Sequence, residues 1–76
     1  IMLLEEKNYI AIRQYQKALK LKFDIPEVHN NFAIALIKIG KYNEALEHLN
    51  IALKLRPDYP DAKKNLGIVK EFLNKN

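Results

Sequence analysis

The chain has 76 residues, a formal net charge of +4 and no cysteine. That is one domain at most, near the size at which a lone hydrophobic core becomes marginal, and it holds neither a disulfide framework nor a thiolate metal site. Although 49% of the residues are hydrophobic, Lys, Glu and Asn interrupt them everywhere, so no apolar run approaches the length that crosses a bilayer and a soluble chain is expected.

The second observation is an internal echo. A shift of 34 residues carries Ala11 onto Ala45, Ala18 onto Ala52, Leu19 onto Leu53, Asp24 onto Asp58, Pro26 onto Pro60, Asn31 onto Asn65 and Ile34 onto Ile68. A fixed period of this size, with helical spacing of apolar residues inside it, predicts stacked helical units that bury their apolar faces against one another.

In chain order, residues 1–6 align with Ala35 to Gly40 and read as the last turn of a helix. Asn8 is then expected to cap a new helix over about Tyr9–Lys22, with Ala11, Ile12, Tyr15, Ala18 and Leu19 on its apolar side. The alternative is one unbroken helix from Met2 to Lys22, since Glu5, Glu6 and Lys7 all favour helix. We take the break as the sequence-based expectation.

Phe23, Asp24 and Ile25 make a short connection, and Pro26 suits the first position of a second helix over Glu27–Ile39, where its missing N–H is not needed. Val28, Phe32, Ala35, Leu36 and Ile39 form its stripe, and Gly40 supplies the left-handed residue that ends it. A third helix to about Arg56, capped by Asn43, presents Ala45, Leu46, Leu49, Ala52 and Leu53 before Pro57 stops it. The last helix, about Asp61–Leu73, repeats the start of the second with Pro60, but Lys63 and Lys70 stand where the second helix has His29 and Leu36. Burying those charges would cost several kcal/mol, so this face is expected to meet water, as the end of a solenoid must.

A helix-turn-helix unit of 34 residues carrying Phe32, Ala33, Gly40, Tyr42, Ala45, Leu49, Ala52 and Pro57 in this order resembles the tetratricopeptide repeat. The resemblance implies an all-α fold of antiparallel helix-turn-helix repeats with about four helices. Residues 1–25 would be the second half of one repeat, 26–59 a complete repeat, and 60–76 a half repeat acting as a capping helix. Ala33, Ala45 and Ala52 would let helix backbones approach closely, with Phe32, Leu36, Tyr42 and Leu49 filling the space between them. His29 departs from the pattern, which usually has a large apolar residue there, so more polar packing is expected. Tyr9 comes one residue late relative to Tyr42 and leaves Asn8 in that place.

No catalytic constellation is expected. The chain has no Ser, Thr or Cys nucleophile, and His29 and His48 lie on different helices without a neighbouring ligand cluster. Gly40 and Gly67 are isolated and read as a helix end and a close helix crossing, so no enzyme activity, metal or cofactor is expected.

Surface recognition is what remains. By resemblance, the first helix of each unit lines a concave groove for an extended peptide or a partner helix. Its positions here are Glu27, Asn30, Asn31, Ile34, Ile37 and Lys38, then Asp61, Lys64, Asn65, Ile68, Glu71 and Phe72. Relatives that grip a C-terminal carboxylate use a second asparagine and basic residues where Ile34, Ile68, Glu27 and Asp61 stand, which argues against that clamp. An apolar strip flanked by Asn and Lys suits a protein or peptide partner with apolar anchors.

Two alternatives accompany this reading. One is self-association through Ala11, Ile12, Tyr15, Ala18 and Leu19, or by exchange of residues 1–6; the other is RNA binding by a basic helical repeat, against which Glu27, Asp61 and the scattering of the lysines argue. A cytoplasmic setting is expected if no leader precedes residue 1.

Overall fold

A computed structural model describes residues 2–75, with side chains from Glu6 onward. Four α-helices make up the chain: α1 (Met2–Leu21), α2 (Pro26–Lys38), α3 (Tyr42–Leu55) and α4 (Pro60–Asn74), with no strand among the described residues. Connections of a few residues fold each helix back on the one before it, and α2, the hub, packs against α1, α3 and α4. The molecule is a slab of 36 × 35 × 16 Å. A body this thin has no deep interior, so apolar burial is confined to the seams between helices.

Small residues make those seams close. Ala33, Ala45, Ala52 and Ala62 are fully buried, and Leu36, Leu49 and Val69 fill the gaps beside them. The ring of Tyr15 lies 6.2 Å from that of Phe32, and Tyr42 stacks on Phe72 at 4.8 Å with the planes 5° apart. The alanines expected to sit between helices do so.

The helix ends follow from local chemistry. Pro26 and Pro60 each open a helix after an extended residue, Ile25 and Tyr59. At the end of α2, Gly40 adopts φ +80°, its N–H donates to the Ile37 carbonyl at 3.0 Å and the Lys41 N–H donates to the Leu36 carbonyl at 2.9 Å. These two bonds are the Schellman arrangement, which requires a left-handed residue at the Gly40 position.

Three sequence-based expectations are corrected. Helix α1 runs unbroken through Asn8, which is buried rather than acting as a cap. The reason lies in the residue matched to Gly40 by the 34-residue shift: it is Glu6, a good helix former that disfavours the left-handed conformation a reversal would need. Tyr9 accordingly points partly into solvent. Asn43 lies inside the first turn of α3, whose cap is Lys41 with no side-chain hydrogen bond. Gly67 marks no close crossing, because a Cβ built there meets nothing within 4 Å.

Candidate functional site

Along α2, Glu27, Asn31, Ile34 and Lys38 follow at steps of four, three and four residues and share one face; Asp61, Asn65, Ile68 and Phe72 do the same along α4. The two helices touch, and the Asn65 side-chain amide donates to the Asn30 side-chain oxygen at 3.0 Å. Of the groove residues read from the sequence, Asn31, Lys38, Asp61, Lys64, Ile68, Glu71 and Phe72 are exposed, Glu27, Ile34, Ile37 and Asn65 are half-buried, and Asn30 is buried.

Burial and partners sort these positions. Asn30 serves as the acceptor that holds α4 beside α2, and Ile37 packs on the core. Asn31 is exposed and makes no side-chain hydrogen bond to a described residue, which leaves its amide available to an incoming backbone. Phe72 lies flat on Tyr42 with part of its ring in solvent, and the Lys75 ammonium is 5.9 Å from that ring.

At the N-terminal end of the α2 stripe, Arg56 donates to the Glu27 carboxylate and forms an ion pair with it. The Glu27 carboxyl is held below its ordinary pKa of 4.5, first by a backbone N–H of its own residue and then by the Arg56 guanidinium. Arg56 also lies over the Tyr59 ring at 4.9 Å. This corner therefore presents a neutralised pair, a result the residue spacing did not foreshadow.

Between α2 and α3 the expected polar packing around His29 takes a definite form. The ring is fully buried. Its Nε2 lies 2.7 Å from the Phe23 carbonyl, and its Nδ1 lies 3.0 Å from the Nδ1 of His48. A carbonyl only accepts, so the His29 proton is on Nε2, its Nδ1 carries the lone pair, and His48 donates from Nδ1. Phe23 meets the His29 ring edge-on at 4.8 Å, and Phe32 covers His48 at 4.3 Å. Burial, and then electrostatic repulsion from the adjoining His29 ring, push the His48 pKa below its ordinary 6.5, while Glu47 and Glu44 act in the opposite sense. Each nitrogen of the buried ring is satisfied, which a fully buried imidazole requires.

Among the described residues no three His, Cys, Asp or Glu side chains converge as a metal site would require, and no helix is long and apolar enough to cross a membrane. A sequence-family model described as TPR repeat matches residues 35–71. The matched stretch runs from the buried Ala35 through all of α3 and into the last turns of α4, the part of the chain in which Gly40, Tyr42, Ala45, Leu49 and Ala52 take the positions described above.

Proposed function

We propose that this chain, matched over residues 35–71 by a family model described as TPR repeat, is a protein-interaction scaffold in which the paired faces of α2 and α4 bind a peptide or a helix of a partner protein. The observation that carries this reading is the twin stripe, in which two helices joined through Asn65 and Asn30 present the same order of acid, Asn, Ile and a long side chain. Ile34, Ile68 and Phe72 offer apolar anchor points, while Asn31 and Lys38 flank them with groups that hydrogen-bond a backbone. Arg56, already paired with Glu27, is not free to hold an anionic terminus at that end.

The test begins with peptides selected on the intact chain from a random display library. Amide chemical shifts are expected to move around Asn31, Ile34, Ile68 and Phe72, and Asn31→Ala and Ile68→Ala are each expected to weaken binding by about tenfold, as loss of a central contact does. A library that yields no peptide whose shifts map to the α2–α4 face would sink the proposal.

A second reading, self-association through α1, draws on one observation: Ala11 and Ala18 are half-exposed although their counterparts Ala45 and Ala52 are fully buried. Of the other residues read into that face, Ile12 is buried and Tyr15 and Leu19 pack on the core, so only its alanine edge is open. Ile1, part of the segment expected to exchange, lies outside the described residues, as do the side chains of residues 2–5. Light scattering over a dilution series tests it: a chain that stays monomeric with constant helicity removes this reading.

A further inference from the structure

The half-exposed alanines lie on one edge of a wider surface whose chemistry differs from that of its counterpart on α3. From Lys7 to Phe23 the chain has five cations, Lys7, Arg13, Lys17, Lys20 and Lys22, and no carboxylate. The equivalent stretch of α3 has Glu44 and Glu47 where α1 has Ile10 and Arg13. None of the five cations has a described carboxylate within ion-pair distance; the pairs present are Lys41 with Glu44 and Arg56 with Glu27. The repeat itself does not require this difference, since α3 takes the same helical course with acids in those places.

Ile10, Gln14, Lys17 and Leu21 fall on one line along α1, at steps of four, three and four. Leu21 is 87% and Phe23 58% exposed, and Ile10 is also open. Ile10, Arg13, Lys17, Lys20 and Phe23 surround an open groove of about 870 Å³. Three apolar side chains in water beside unpaired cations are a surface with both halves of a recognition site, apolar anchors and charge.

The fold also shows what shape this side accepts. On α3, a helix lies along the corresponding face: α2 meets it at His48, and Ala45 and Ala52 to either side are fully buried. Gln14 is the counterpart of His48, and Ala11 and Ala18 are the counterparts of the two alanines. A helix can therefore approach α1 as closely as α2 approaches α3, with its flank over Arg13, Lys17 and Lys20. A second copy supplies the wrong charge, because the face that α4 would bring carries exposed Lys63 and Lys70.

We propose that the outer face of α1 is a docking site, separate from the α2–α4 stripes, for an acidic amphipathic helix of a partner protein. Its apolar side covers Ala11, Ala18 and Leu21, and its carboxylates meet Arg13, Lys17 and Lys20.

The probe is a labelled synthetic helix with leucines along one face and glutamates beside them, compared with a twin in which lysine replaces each glutamate. Anisotropy titrations on the full chain are expected to show binding of the acidic peptide alone, weakened several-fold between about 0.05 and 0.3 M salt as screening lengths shorten. The double variant Arg13→Glu, Lys17→Glu is expected to weaken binding at least about tenfold, whereas Lys63→Glu, which changes the net charge on the far side of α4, leaves it unchanged. All three substituted positions are exposed, and circular dichroism checks that helicity is retained. Equal binding of the two peptides, or equal weakening by Lys63→Glu, overturns the proposal in favour of unspecific charge. An RNA oligonucleotide that binds more tightly and depends on Arg13 and Lys17 overturns it in favour of a polyanion site, and a dimer that the double variant dissociates overturns it in favour of a second copy.

Discussion

Helix α2 packs against all three other helices and α3 lies between α2 and α4; α1 packs on α2 alone, and α4 packs on α3 and α2 and leaves its Lys63 and Lys70 exposed. The positions where they differ are those the missing neighbour would cover. Ala45 and Ala52 are sealed while Ala11 and Ala18 are half-open, and the buried pair Ala33 and Leu36 becomes the exposed Gly67 and Lys70. The backbone pattern thus survives at the ends without full burial, because helix propensity and one packed face suffice to hold each outer helix. Side-chain chemistry is less constrained there and has moved toward charge.

Substitutions made in equivalent pairs test this contrast. The largest effect is expected from Leu49→Ala, which empties a fully buried site in the core and should cost about 2–5 kcal/mol; Lys70→Ala, at an exposed position of α4, should change stability by less than about 0.5 kcal/mol. Urea denaturation followed by circular dichroism reads both, and similar midpoints for the two variants would break the comparison. Next comes Ala52→Leu, expected to cost about 1–3 kcal/mol by overfilling a closed seam. The matched Ala18→Leu has room on one side and should be close to neutral in the same measurement.

The glycines form a third pair. Gly40→Ala forces a side chain into the left-handed region and is expected to lower stability by about 1–2 kcal/mol. Gly67→Ala adds a methyl in open space within a helix and should raise stability by about 0.5–1 kcal/mol. A loss at Gly67 would mean that α4 has a neighbour in solution.

The mildest effect is a slope with pH, carried by the histidine pair between α2 and α3. Because the folded state lowers the His48 pKa, the unfolded chain takes up more protons below the ordinary histidine range. Stability is therefore full above about pH 6.5 and declines as pH falls beneath it. Thermal melts between about pH 7.5 and 5 should show the decline, and His48→Gln should flatten it. Parallel curves for the two proteins would assign the slope to other groups.

Much of this architecture is legible residue by residue. Pro26, Pro60 and Gly40 act through their own backbone restrictions, so the helix ends they mark are visible without any partner. The unbroken course of α1 was also written in the chain, in the replacement of Gly40 by Glu6, but the repeat pattern alone pointed to a turn. For the proposed binding surface, spacing placed Asn31, Ile68 and Phe72 on exposed faces, yet Asn30 entered the helix seam and Glu27 found Arg56, 29 positions away. Such pairings arise from side chains brought together across helices, and no local rule reports them.

By itself the amino-acid order determined four helices, their turns and the alanines that let them close, because each depends on local propensity and on a period in apolar residues. Only the tertiary structure decided which of two equivalent alanines is sealed, how two histidines share one proton, and that the cations of α1 remain without carboxylate partners among the described residues. These are questions of what stands beside a helix, and the physical reason is that burial and charge pairing belong to a pair of surfaces rather than to either one.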